Sequence, residues 1–231
     1  MLNLERIEAG YGESMVIRNV HLKVEPGQVV CLMGRNGVGK STLMKTIMGL
    51  IKPRSGTISY CGRDITSFTP DRRAKAGIGY VPQGRDIFPQ LTVEENLLLG
   101  LEAASDGRKR LPESLFETFP VLREMLQRKG GDLSGGQQQQ LAIARALASG
   151  PKLLLLDEPM EGIQPSIVME IEAIIESIKR SREIAVLLVE QSLEFAASIA
   201  DHYYVLDRGT IVAKGNAEQI SEEQVRKHLT V

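Results

Sequence analysis

Val29-Val30-Cys31-Leu32-Met33-Gly34-Arg35-Asn36-Gly37-Val38-Gly39-Lys40-Ser41-Thr42 is the stretch on which the fold turns. Its opening run, Val29 to Met33, is apolar without alternation, as in a strand buried on both faces. Residues 34–41 then satisfy G-x-x-x-x-G-K-[ST] in full, and residues 41–50 carry a helical pattern. A strand, a glycine loop and a helix start in that order aim backbone N–H groups and a helix amino end at an anion. Gly34, Arg35, Asn36, Gly37, Val38, Gly39, Lys40, Ser41 and Thr42 are therefore expected to bind ATP. Lys40 is expected on the β- and γ-phosphates, and the Ser41 hydroxyl on Mg²⁺. A glycine-rich turn that binds nothing would not need the whole motif.

Outward from this loop, Leu153-Leu154-Leu155-Leu156, Ile184-Ala185-Val186-Leu187-Leu188-Val189 and Tyr203-Tyr204-Val205-Leu206 repeat the unalternating apolar signature. Between them, Ile167, Ile171, Ile174, Ile175 and Ile178 recur at helical spacing behind Pro165, which suits a first helical turn. Strands alternating with helices predict an α/β fold with a mainly parallel sheet, a P-loop NTPase (RecA-like) core. Ser55 to Gly62 reads as part of an antiparallel β layer, and so does Val205 to Lys214 around Arg208-Gly209. Residues 89–149 read as an inserted α-helical subdomain between core segments 1–88 and 150–231 of a single domain.

The run Leu153 to Leu156 ends in Asp157-Glu158-Pro159. Ligands of open α/β sheets lie beyond the carboxyl ends of the strands, so both carboxylates are expected at the nucleotide. Asp157 suits Mg²⁺ held through water, and Glu158 suits activation of the attacking water. Leu133-Ser134-Gly135-Gly136-Gln137 is the second anion candidate. Ser134 and Gln137 have capping-box spacing, and the intervening glycines leave a helix amino end open to a ligand.

Composition limits the alternatives. The chain has 231 residues, 42% of them apolar, and a formal net charge of −1. A domain whose main partner is nucleic acid usually shows a basic excess, so none is expected here. Cys31 and Cys61 show no ligand spacing, and Cys31 reads as a core residue. The amino terminus lacks the apolar stretch of a signal peptide, and no apolar segment reaches the roughly 20 residues that span a bilayer. A soluble chain follows, with any membrane role supplied by a partner. His21, His202 and His228 read as surface or packing residues, and the cations Lys109, Arg110, Lys179, Arg180 and Arg182 as solvated faces. Ser221 and Gln224 read as the cap of a short final helix.

The phosphate loop, the segment from Leu133 to Gln137 and the segment from Leu153 to Glu158, in this order, resemble the ATP-binding-cassette family over nearly the whole chain. The resemblance implies that Tyr11 stacks on adenine and that Gln83 contacts Mg²⁺ and the attacking water. It places transmembrane permease partners at residues 84–89. It also implies a head-to-tail dimer in which Leu133, Ser134, Gly135, Gly136 and Gln137 complete the partner's ATP site. Gly77-Ile78-Gly79-Tyr80-Val81-Pro82-Gln83-Gly84-Arg85 and Leu188-Val189-Glu190-Gln191 resemble ATPases of branched-chain amino-acid-type importers. Gly130-Gly131-Asp132-Leu133 and Glu161-Gly162-Ile163-Gln164-Pro165-Ser166 are similar to the urea branch. That implies a chain on the cytoplasmic face of a bacterial inner membrane, with a periplasmic solute-binding protein as an indirect partner.

Three positions depart from the family pattern: Gln191 stands where a histidine is common, Gln164 where an aspartate is frequent, and Met160 where threonine or serine is frequent. A glutamine amide donates a hydrogen bond to a γ-phosphate but carries no charge. Either a second, related ATPase supplies the histidine in a heterodimer, the preferred reading, or glutamine serves in a homodimer. A soluble, non-transport cassette ATPase and a nucleotide-gated regulatory module are the remaining alternatives.

Overall fold

The computed structural model describes residues 1–219, so the expected cap at Ser221 and Gln224, and His228, lie outside the described residues. Two sheets enclose the first helix. The larger contains β3 (Val29–Met33), β6 (Ile78–Val81), β7 (Leu153–Asp157), β8 (Ala185–Glu190), β9 (His202–Asp207) and β10 (Thr210–Asn216) in the order β10-β9-β3-β8-β7-β6. All its pairings are parallel except β10 with β9. The smaller is antiparallel, in the order β2-β1-β4-β5, from β1 (Leu2–Tyr11), β2 (Ser14–Val24), β4 (Ser55–Tyr60) and β5 (Arg63–Asp64).

The unbroken apolar runs follow from burial on two sides. Along β3, Val30 and Leu32 face α1 (Lys40–Met48) and the antiparallel sheet, and Val29 faces a second core. Cys31 and Met33 face α8 (Leu193–Ile199), so Cys31 is the buried core residue expected. The second core unites the sheet with α3 (Val93–Gly100), α4 (Glu113–Thr118), α5 (Pro120–Glu124), α6 (Gly135–Ala148) and α7 (Pro165–Ser181). Pro165 opens α7 as expected, and Ile171, Ile174, Ile175 and Ile178 form its buried stripe.

The α/β class with a mainly parallel sheet, an antiparallel layer and inserted helices is borne out. One placement is corrected: Val205 to Lys214 does form a hairpin, but β9 pairs with β3, so it extends the main sheet and not the antiparallel layer. Lys109, Arg110 and Arg180 are exposed as expected, but Lys179 and Arg182 also make tertiary contacts. Arg182 ends α7 with a left-handed backbone (φ 56°), donates to Gly27 O at 3.1 Å and pairs with Asp201 at 2.8 Å. Lys179 lies 3.6 Å from the same carboxylate, which also accepts from Val29 N. These cations anchor the entry to β3.

A further helix, α2 (Pro70–Lys75), supplies Arg73, which is 1% exposed and meets no carboxylate among the described residues. Its guanidinium donates to Thr46 O, Ile47 O, Thr66 O and Phe68 O, capping the negative end of α1.

Candidate nucleotide site

The site begins where β3 ends. Gly39 takes a left-handed backbone (φ 114°), which favours glycine, and a β-carbon there would also press on the end of the Ile17 side chain, 2.8 Å from its Cδ1. The loop delivers Lys40, 4% exposed, into the turn: its Nζ donates to Gly34 O at 2.8 Å and Arg35 O at 3.0 Å, and lies 3.2 Å from Glu158 Oε1. Ser41 Oγ donates to Asp157 Oδ1 at 3.2 Å. The other oxygen of Asp157 is buried without a hydrogen-bond partner among the described residues.

Glu158 sits just beyond β7 with φ 49°, a left-handed conformation uncommon for a non-glycine residue. Three groups meet at its carboxylate. Gln83 Nε2 donates to Oε2 at 3.2 Å and to Glu161 Oε2 at 2.7 Å. Gln191 Nε2 donates to Oε1 at 3.1 Å and to Asn36 Oδ1 at 2.8 Å. Lys40 supplies the positive charge.

Burial pushes the Asp157 carboxyl up to about 6; the Ser41 bond opposes this and the charge of Glu158 adds to it. Glu190, at the end of β8, is pushed up to about 7, again chiefly by burial, with one oxygen lacking a partner among the described residues. Glu190 was not singled out as a site residue. An acidic residue closing an otherwise apolar strand was the available signal.

A cleft of about 400 Å³ gathers Tyr11, Asn36, Gly37, Gly39, Lys40, Ser41, Thr42, Gln83 and Glu158 from the expected site, together with Val16. Tyr11 is 52% exposed at the tip of the β1–β2 hairpin. Gly34 and Arg35 hold Lys40 through their carbonyls, and the Val38 carbonyl accepts from Gly209 N. Asp157 joins the cleft through Ser41, and Gln191 through Glu158 and Asn36.

Leu133 to Gln137 lie outside this cleft. Both halves of the capping box form: Gln137 N donates to Ser134 Oγ at 3.3 Å, and Ser134 N to Gln137 Oε1 at 2.9 Å. Leu133 is buried in the second core. Gly136 is a contact glycine, since a β-carbon there would approach Ile167 Cγ2 to 2.5 Å. Two arginines missed in the sequence bind the loop after Gln83 to α6. Arg85 (φ 76°) donates to Gln138 Oε1 at 3.3 Å, its guanidinium lying over Gly135. Arg145 donates to Asp86 O at 2.7 Å and covers the half-exposed Phe88 ring.

A strand–glycine loop–helix turn with a buried lysine, an acidic strand end and a second capped helix start define a nucleotide-hydrolysing cassette. The family model for the ABC transporter matches residues 17–161, and the chain belongs to that family. It is the ATP-binding, ATP-hydrolysing subunit of an ABC transporter. It is 41% identical over 213 residues to the high-affinity branched-chain amino acid transport ATP-binding protein BraG of Pseudomonas aeruginosa, covering 92% of this chain and 91% of that one. It is 36% identical to a probable branched-chain amino acid transport ATP-binding protein of Archaeoglobus fulgidus, over 97% and 95% of the two chains. It is also 36% identical to the lipopolysaccharide export system ATP-binding protein LptB of Haemophilus influenzae, over 98% and 95%. Among solved structures, a nucleotide-free ATP-binding cassette from an ABC transporter has TM-score 0.80 and 31% identity, covering 100% of this chain and 95% of that chain. No helix among the described residues is long and apolar enough to cross a membrane.

Proposed function

We propose that this chain powers a bacterial importer of a small amide or amino-acid solute by closing on ATP with a second cassette. The observation that carries the reading is the Glu158 carboxylate, held by Lys40, Gln83 and Gln191 at the phosphate loop, while the Ser134 helix end lies outside that cleft. In this reading Lys40 binds the β- and γ-phosphates, Tyr11 stacks on adenine, Glu158 takes the proton of the attacking water and Gln191 donates to the γ-phosphate. The donor set fits Mg²⁺: a hydroxyl, an amide and a carboxylate with a free, buried oxygen are hard oxygen ligands at Ser41, Gln83 and Asp157. When bound, Mg²⁺ neutralises charge on the phosphates.

The Leu133 to Gln137 helix end then completes a partner's site, and residues 89–149 act as the helical arm that carries permease contacts at residues 84–89. We assign the partner as a second, related ATPase that brings a histidine where this chain has Gln191. Urea is the solute favoured by the segments 130–133 and 161–166; the identity to BraG supports branched-chain amino acids instead. An export role is the second reading, on the 36% identity to LptB.

Glu158→Gln tests the core assignment. In the assembled transporter it lowers ATP turnover by roughly a hundredfold or more while ATP binding persists. Uptake of labelled urea and leucine by cells carrying that allele reads the solute. Normal turnover would sink the assignment of Glu158; loss of leucine uptake alone would sink urea.

A further inference from the structure

Two buried polar atoms on one side of the main sheet lack a hydrogen-bond partner among the described residues: the Tyr80 hydroxyl and Asp157 Oδ2. Strands β6 and β7 pair in parallel with Tyr80 opposite Leu155, and both side chains pack into the core around α1. Side chains two apart on a strand share a face, so Asp157 lies on that face one step further toward the nucleotide cleft. The charges of Asp157 and Asp86 act on the Tyr80 hydroxyl, as does Tyr11, which lines the cleft. Burial holds the phenol above its ordinary range, so it remains a donor at any working pH.

Orphaned buried hydroxyls and carboxylates are costly, and most such groups in folded proteins are satisfied by protein or by ordered water. Here one orphan is a donor and its diagonal neighbour an acceptor. Ser41 donates to Oδ1 of the same carboxylate, which leaves Oδ2 as its buried oxygen without a hydrogen-bond partner among the described residues.

We propose that Tyr80 is a positioning residue for the divalent cation: its hydroxyl and Asp157 Oδ2 together hold the hydration water through which Asp157 grips the ion. This rests on the assignment of Asp157 to Mg²⁺ above. Tyr80 touches neither nucleotide nor ion, and acts through the shared water.

The test measures Mn²⁺ affinity by electron paramagnetic resonance on the intact chain bound to a non-hydrolysable ATP analogue, for wild type, Tyr80→Phe and Asp157→Asn. Nucleotide affinity without metal and the thermal midpoint are read alongside. The expectation is a roughly fivefold weaker Mn²⁺ affinity in Tyr80→Phe. Metal-free nucleotide affinity should stay unchanged and the thermal midpoint equal or higher, because an unpaired buried hydroxyl is removed. Unchanged Mn²⁺ affinity in Tyr80→Phe beside a loss in Asp157→Asn overturns the role of Tyr80 alone. Unchanged affinity in both overturns the Asp157 assignment beneath it. A parallel loss of metal-free nucleotide affinity or stability in Tyr80→Phe means ordinary packing, and also overturns the proposal.

Discussion

At the residue scale, burial governs the acidic groups. The Glu190 carboxyl is pushed from an ordinary 4.5 to about 7 by desolvation, so the folded state holds its proton more tightly than the unfolded chain does. Its contribution to stability is therefore present in full below pH 4.5 and is lost as pH rises through about 7. Glu190→Gln keeps an acceptor for the Gln191 and Met160 amides and removes the titration. At pH 8 it should stabilise the chain by on the order of 2 kcal/mol, and at pH 4.5 by little. Urea unfolding of the metal-free chain at both pH values reads this, and an equal effect at both would show that Glu190 does not titrate on folding. The same scale shows what the chain disclosed beforehand. Lys40, Ser41, Asp157 and Glu158 were legible because each sits in a motif whose chemistry needs that residue type at that spacing. Gln83 and Gln191 came from family resemblance alone, since a glutamine carries no such signature. Tyr80 and Glu190 matter through what they lack, and only coordinates expose an unpaired atom.

At the element scale, legibility followed burial symmetry. Strands β3, β7 and β8 are apolar on both sides, so their sequences are unbroken runs. Strands β1 and β2 were not read, because their pairing slips: Leu2 and Leu4 alternate, then the register shifts before Ile7 and again before Ala9. Arg6 and Asn19 take positive φ at these irregularities, which breaks the period-2 pattern. Strand β6 hid behind Gly79 and Tyr80. The hairpin of β9 and β10 was visible, but its parallel pairing with β3 joins residues far apart in sequence. Helix α6 owes its placement to a contact that the capping box does not reveal. Gly136 lets the amino end of α6 lie on Ile167 in the first turn of α7, whose lead-in begins at Glu158. A methyl group there meets a branched, stiff side chain, so Gly136→Ala should destabilise by about 1–3 kcal/mol. Adding Ile167→Ala should recover most of the loss. Denaturant unfolding of both single variants and the double variant measures the coupling, and additivity would mean that the two helices do not bear on each other there.

At the scale of the whole molecule, the chain presents two helix starts suited to phosphate, on surfaces that one cleft does not join. A nucleotide held between two subunits would place its γ-phosphate charge between both positive helix ends, and hydrolysis would remove the charge that binds them. The loop from Gln83 to Phe88 ties these surfaces together: Gln83 rests on Glu158, while Arg85 and Arg145 fix the following turn to α6. In the proposed dimer, this loop would link one subunit's carboxylate to the helix proposed to meet its partner's nucleotide. Lesions at the two ends should consequently separate. Lys40→Ala should abolish ATP binding by the isolated chain, whereas Ser134→Arg should leave that binding intact and abolish turnover only in the assembled transporter. Mixing the two variants distinguishes the partner. If two copies of this chain complete each other, the mixed dimer retains one composite site free of both lesions, and turnover returns to a sizeable fraction of wild type. If a second cassette with its own histidine is the partner, the mixture stays inactive and the wild-type chain gains turnover only when that cassette is added. The heterodimer predicts the second result, and recovery in the mixture alone would sink it.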